Sequence, residues 1–416
     1  MSFRKVRSRV SAVLLALAGC SYSPDAPVSV PQSATASTGD RSSSSRISRE
    51  VLSANGLEEL WYNPPGDIDH GVHAVDLLGD SLFIAAVPPG AARGNLRRVL
   101  RANLNTKWYF EFEISGPIQQ PPTVYQYPQG AGASANEVFF SQLDTVYCID
   151  LRYGDLLWKQ KLEFPISTRI VADELGIFVG SDNGRVYGVR KKSSIEDWTY
   201  LTGGGVKAAP AVSTPSVYVA STDGHVYKLA GRTGWVHGAS WKFKTGARVV
   251  ADPAVFSRWV FVGSTDYKLY ALESADGAVA WTFQAEAPIE DSPLVLSHKS
   301  NQDYVYCIAT ERLASSEKRT LFAIRVANGE QIWRMTGVRK VVAMGKNNLY
   351  VINDSKSTSD RSLVALDIQT GQERFRLPIG SFDFIPVNVA DGSQRERGRI
   401  YLIAEDGTIQ VLGERL

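Results

Sequence analysis

The sequence predicts an all-β fold, an eight-bladed β-propeller in which an N-terminal strand completes the last blade, and three observations predict it. The first is an internal repeat. Shifting the stretch Asp252 to Trp281 back by 43 positions lays Pro253-Ala254-Val255 on Pro210-Ala211-Val212, Phe261-Val262 on Tyr218-Val219, Leu269-Tyr270 on Val226-Tyr227, and Ser264-Thr265-Asp266 on Ser221-Thr222-Asp223. The second is the aromatic residue that ends each unit: Trp61, Trp108, Trp158, Trp198, Trp241, Trp281, Trp333 and Phe375 follow at gaps of 47, 50, 40, 43, 40, 52 and 42 residues. A period of this length, built from short Val-, Tyr- and Ile-rich runs divided by turn residues, is the mark of propeller blades. A helical array would instead space its apolar residues three and four apart. The third observation is at the ends: a lone strand-like run, Leu57 to Tyr62, opens the folded part, and a lone hairpin, 399–404 with 408–412, closes it. Each fragment lacks what the other has, and pairing them leaves no sheet edge open.

Residues 1–19 read as an export leader rather than as part of the fold. Arg4, Lys5, Arg7 and Arg9 give it a positive start, and the apolar run Val10 to Ala18 is far shorter than the ~20 residues of a membrane-spanning helix. It ends Leu17-Ala18-Gly19-Cys20. That ending resembles the lipobox of bacterial lipoproteins, which implies lipid attachment at Cys20. Ser21 rather than Asp after the cysteine implies an outer-membrane address, facing the periplasm, in a Gram-negative cell. Residues 20–49 then form a flexible tether. Pro24, Pro27, Pro31 and the Ser/Thr-rich run from Ser33 to Ser45 carry too few apolar groups to offset the entropy of ordering.

The propeller occupies residues 50–416, roughly 46 residues per blade. Its hairpins are expected at 82–87 with 98–104, 137–143 with 145–151, 176–181 with 185–190, 217–222 with 225–229, 259–265 with 268–273, 304–310 with 320–326, 348–353 with 362–368, and the closing pair. The short Pro-Ala-Val type of run supplies each innermost strand. With 35 Gly, 19 Pro and 10% aromatic residues in 416, the composition suits a turn-rich β chain. The formal charge is +2, and loss of the four basic leader residues takes the mature chain to about −2, against the basic field a nucleic-acid partner needs. Of three cysteines, Cys148 and Cys307 fall in the second and sixth blades. They are too far apart for the ~6 Å Cα separation of a disulfide and read as small buried apolar residues.

The segments that lead into the aromatics share a form, seen in Cys148 to Trp158, Ala271 to Trp281, Ala323 to Trp333 and Ala365 to Phe375: a small residue, a turn glycine, then the ring. Gly takes the positive φ of the turn, the small residue leaves room for an indole, and the indole covers a large flat area between blades. These segments resemble the tryptophan-docking repeats of the pyrroloquinoline quinone (PQQ) propeller family across essentially all of residues 50–416. The resemblance implies a structural docking role for all eight aromatics.

Two branches of that family bear on function. The quinoprotein dehydrogenases imply a Ca²⁺ site of Glu, Asn and Asp beside an adjacent Cys-Cys pair, and this chain has no Cys-Cys. The lipid-anchored branch, the outer-membrane-protein assembly factors of the BamB family, resembles it better in length, blade count and lipobox. That branch implies a non-catalytic scaffold without cofactor, whose partners are envelope proteins, among them the barrel-assembly machinery. Its partner-binding loops precede a Gly-Ser-Asp-Asn-Gly-Arg-Val motif, here Gly180 to Val186, so the preceding loop offers Phe164 and Ile166 as exposed apolar contacts and Arg169 as a cationic one. Filling between blades is the plainer reading of those residues. Asp67, Asp69, His70 and His73 cluster after Trp61, where His-x-x-His could be half a metal site, although a polar loop is the simpler account. His225, His237 and His298 read as exposed, and neither a catalytic residue nor a metal site is expected. The alternatives to the scaffold are a PQQ- and Ca²⁺-dependent oxidoreductase and a surface sensor or carbohydrate-binding module.

Overall fold

The computed structural model describes residues 46–64, 71–113, 118, 120–126, 136–191, 196–234, 240–297, 303–314, 316–355, 360–389 and 398–415. The chain divides into Met1–Ser43, which with Cys20 lies outside the described residues, and Ser44–Leu416. Among the described residues of the second unit, 32 strands make eight four-stranded antiparallel sheets. Blades 1 to 7 take residues 72–113, 123–161, 171–201, 211–244, 254–284, 294–336 and 338–378 in chain order, each running from its innermost to its outermost strand. Blade 8 takes three strands from 382–414 and its outermost from the N-terminus, Leu57–Asn63, in register from Leu57 opposite Glu414 to Asn63 opposite Ile409.

The burial of each strand follows from its place. Second strands such as Ser81–Ala86 and Trp259–Gly263 are buried at every residue because a neighbouring blade covers each face. Outermost strands such as Leu156–Lys161 alternate between exposed and half-buried. The Pro-Ala-Val runs are the innermost strands, Ala211–Ser213 and Ala254–Phe256. Blade 1 departs from the expected bounds: its third strand is Arg93–Leu100, and Arg101 to Leu104 form the turn after it.

The aromatic residues wedge the ring together in a repeated geometry. Each packs at 5.7–6.4 Å on an aromatic of its own blade's second strand, as Phe83 with Trp108, Phe178 with Trp198, Tyr218 with Trp241, Phe261 with Trp281, Tyr306 with Trp333 and Tyr350 with Phe375. Its other face covers the turn glycine of the next blade. Gly154, Gly234, Gly277, Gly329 and Gly371, all with φ between 65° and 80°, lie against Trp108, Trp198, Trp241, Trp281 and Trp333 so closely that a Cβ would come within 2.8 Å of the indole. The indole N–H donates to a carbonyl beside that turn: Trp108 to Leu151, Trp198 to Gly231, Trp241 to Ser274, Trp281 to Val326 and Trp333 to Ile368, at 2.7–3.2 Å. One buried indole contributes about 4–6 kcal/mol in removed apolar area, before the cost of fixing it. Trp158 is half-buried in the same position, but its Nε1 meets no acceptor among the described residues.

Trp61 is the exception, and it corrects the docking role expected of it: the side chain is 42% exposed. Three changes at the interface of blades 8 and 1 expel it. Leu104 holds the turn-glycine position, with φ 54°, and its side chain joins the core of that interface. Val411, β-branched, stands opposite Trp61 where other blades place Ala271, Ala323 or Ala365. The ring of Tyr401, which would receive the indole, is covered by the Arg101 guanidinium at 5.3 Å. Arg101 is buried and also donates to the Tyr401 hydroxyl at 3.0 Å, the Gly79 carbonyl at 2.8 Å and Asn388 Oδ1 at 3.0 Å. The closing interface is therefore joined by a buried cation in place of an indole.

The N-terminal segment secures the same blade. A helix, Arg49–Ala54, buries Leu52 in the core between blades 7 and 8. Glu59 accepts from Arg46, Arg49 and Gln410, which together outweigh burial and hold its carboxyl below the usual range. The turn aspartates named by the repeat tie successive blades: Asp223 accepts from Gly203 N at 2.8 Å, and Asp266 from Gly246 N at 2.6 Å. Gly277→Ala is expected to destabilise the propeller by about 2–4 kcal/mol through clash and backbone strain, whereas Trp61→Ala should cost under about 1 kcal/mol. Denaturant midpoints of the two variants check this contrast.

Candidate functional site

The sites that sequence pattern singled out fall in two places, the axial channel and the loop that enters blade 3. Six blades contribute to a cavity of about 580 Å³ beside the inner strands, lined by Arg169, Asp252, Asp291, Arg319, Arg339 and Lys340, with Leu294, Val341 and Val387 as apolar wall; of these only Leu294 and Arg339–Val341 lie within innermost strands. The surrounding protein raises the pKa of the Asp76 carboxyl, against the opposing pull of Leu77 N–H, Arg169 and Lys340. Burial likewise raises Asp252, against its bond from Ala209 N at 2.7 Å and the charge of Arg169. Lys340 is open to channel water yet enclosed by the walls, which push its ammonium pKa down against the pull of Asp76. Its Nζ donates to the Ile385 carbonyl at 3.2 Å. Burial raises Asp291 as well, although Arg319 stands 3.6 Å away. The channel thus carries interleaved cations and carboxylates that offset one another.

The loop 162–169 is pinned at its backbone. Leu162 N and Ile166 N donate to Asp144 and Leu143 carbonyls at 2.7 Å, Ser167 N to the Gly180 carbonyl at 2.9 Å, and Thr168 Oγ1 accepts from Gly180 N at 2.9 Å. Gly180 is required there, because a Cβ would lie 2.4 Å from Val206. Phe164 and Ile166 are not the exposed pair expected. Both are half-buried against the core between blades 2 and 3, and the Arg185 guanidinium covers the Phe164 ring at 4.4 Å. Arg169 leaves that core for the channel lining. The chain turns inward between the two positions, so the trio does not form one surface.

Of the histidine cluster, Asp67, Asp69 and His70 lie outside the described residues, as do His237 and His298. His73 lies in the innermost strand of blade 1, half-buried, and burial lowers its pKa. His225 is half-buried rather than exposed, 5.9 Å from the Tyr227 ring and 3.3 Å from Asp223. Cys148 and Cys307 are buried and unpaired in blades 2 and 6, and burial pushes both thiols far up. Among the described residues no three His, Cys, Asp or Glu side chains gather where they could hold a metal ion. The channel's arginines and lysine are spaced among its aspartates.

The family model described as outer membrane protein assembly factor BamB matches residues 143–240 and 237–410, more than half of the chain. The chain belongs to the BamB family. Among solved structures, BamB from Moraxella catarrhalis is 18% identical, covering 86% of this chain and 97% of its own, with a TM-score of 0.60. The computationally designed Ika8 protein is 13% identical over 83% of this chain and 97% of its own, at 0.59. Quinohemoprotein alcohol dehydrogenase ADHIIG from Pseudomonas putida HK5 is 10% identical over 87% of this chain and 77% of its own, at 0.60. At these identities the likenesses establish the fold alone. No curated protein sequence matches the chain.

Sequence pattern had passed over Asp76, Asp252 and the Arg339-Lys340 pair. A signal existed: each places charge in or beside a short apolar run that forms an innermost strand, as in Val338-Arg339-Lys340-Val341. Because the folded-state pKa of Asp252 is raised, its contribution to stability is complete below the ordinary carboxylate range and declines as pH rises through it. Asp252→Asn removes that decline while keeping an acceptor for Ala209 N. Its denaturation midpoint should therefore gain on wild type between pH 3.5 and pH 7.

Proposed function

We propose that this BamB-family propeller is a non-catalytic scaffold, anchored by lipid at Cys20 to the outer membrane on its periplasmic side, that binds envelope protein partners during assembly of outer-membrane β-barrel proteins. The single observation that carries the reading is the family match spanning blades 2 to 8. The channel chemistry supports it. Acidic and basic side chains alternate there, with burial outweighing their mutual attraction at Asp76, Asp252 and Lys340, and both described thiols are buried. A rigid ring of sheets with pinned loops offers surface, and Arg169 at the channel with the loop before it is the contact proposed for the partner. Phe164 and Ile166 hold that loop's shape from beneath.

A photo-crosslinking residue placed at Ser167 of the full chain in native membranes is expected to capture the periplasmic part of a barrel-inserting protein, and Arg169→Glu should reduce the adduct at least fivefold. Recovery of the propeller alone would overturn the partner reading. Loss of fatty-acid labelling in Cys20→Ala tests the anchor separately.

A further inference from the structure

Four charged side chains reach the channel from every second blade, and their signs alternate. Asp76 stands in the innermost strand of blade 1, Arg169 in the loop that enters blade 3, Asp252 in the loop that enters blade 5, and Lys340 in the innermost strand of blade 7. In an eight-bladed ring blades 1 and 5 face each other, as do blades 3 and 7, so the acids come from one facing pair and the bases from the other. The charge of Arg169 reaches both Asp76 and Asp252, and that of Lys340 reaches Asp76. Yet no two of the four are ion-paired among the described residues. They bond to backbone instead: Asp76 accepts from Leu77 N at 2.9 Å, Asp252 accepts from Ala209 N at 2.7 Å, and Lys340 donates to the Ile385 carbonyl at 3.2 Å. Opposite charges that are enclosed but held apart leave each one short of a counter-charge.

The space they border is the cavity of about 580 Å³, within the range of about 300–1,000 Å³ usual for small-molecule sites. Its contents vary in a definite order from blade 5 to blade 7. Asp252 comes first, then an apolar wall on blade 6 from Leu294, Tyr306, Ile308 and Leu321, then Arg339 and Lys340. The charges of blade 6 are already engaged, because Arg319 lies 3.6 Å from Asp291, 3.3 Å from Glu317 and 3.9 Å from Asp354. Sign then selects the ligand. A purely anionic guest would answer the bases but stand against Asp76 and Asp252, and a purely cationic guest would do the reverse. A zwitterion answers both. The cavity is larger than one amino acid, and an apolar wall separates the acid from the two bases, so the charges of the guest belong at the two ends of an apolar body.

We propose that the channel cavity binds a short apolar peptide with free ends, its ammonium at Asp252, its carboxylate at Arg339 and Lys340, and its side chains against the wall of blade 6. Asp252 can take the ammonium as well as Ala209 N, since a carboxylate offers about four acceptor positions. The site does not depend on the partner contact at Ser167, whose capture by crosslinking succeeds or fails separately. Isothermal titration calorimetry of the full chain in detergent compares three probes: Ala-Leu-Ala with free ends, the same tripeptide acetylated and amidated, and inorganic phosphate. The free tripeptide is expected to bind at least tenfold more tightly than the capped one or phosphate. Asp252→Asn and Arg339→Gln/Lys340→Gln should each weaken it at least fivefold and leave the capped form unchanged. Circular dichroism checks that each variant is folded, and the free-against-capped comparison on wild type decides alone if one is not. Equal affinity for the two tripeptides, tighter binding of phosphate, or no heat from the free tripeptide at millimolar concentration would overturn the proposal. So would folded variants that bind the free tripeptide as wild type does.

Discussion

The ring depends on one contact made repeatedly, an indole laid between an aromatic of its own blade and a bare glycine turn of the next. Nothing smaller than the ring would fill the wedge-shaped gap between diverging sheets, and no residue with a Cβ would let it approach the turn backbone. The indole N–H donates to a carbonyl of the next blade, so the same side chain closes both the apolar and the polar account of the interface. Because each wedge joins only neighbours, the fold tolerates interfaces that depart from the rule. The closing one departs furthest: there Leu104 fills the volume, Arg101 covers Tyr401, and Trp61 is released to the surface.

The consequence for function is a division of labour around the ring. Blades joined by indoles hold the inner strands in place, and in and beside those strands lies a cavity of mixed charge in which burial disfavours the ionised forms of Asp76, Asp252 and Lys340. The loop that carries Phe164, Ile166 and Arg169 leaves blade 2 at the end opposite the turn that leads into its outermost strand.

Most of the architecture was legible because each blade repeats a local demand. The positive-φ glycine, the small residue and the ring recur at fixed spacing, and the unmatched strand and hairpin at the two ends announce closure. Boundaries were less legible in blade 1, where Arg97-Arg98-Val99-Leu100-Arg101 gives no alternation to mark where the strand stops. Trp61 misled for a plain reason: an indole at the right spacing says nothing of the turn that must receive it, and that turn, with Leu104, lies 43 residues further along the chain.

What the sequence determined by itself is the blade, the number of blades and the order in which they close, since these follow from period, turn chemistry and strand-forming residues read locally. Tertiary structure alone decided which side chains face the channel, the gap or the solvent. A strand residue's surroundings are set by the blade beside it, whose residues stand some forty positions away. Phe164 and Ile166 therefore pack half-buried against the core and Arg169 lines the channel, although the three lie within six residues of one another.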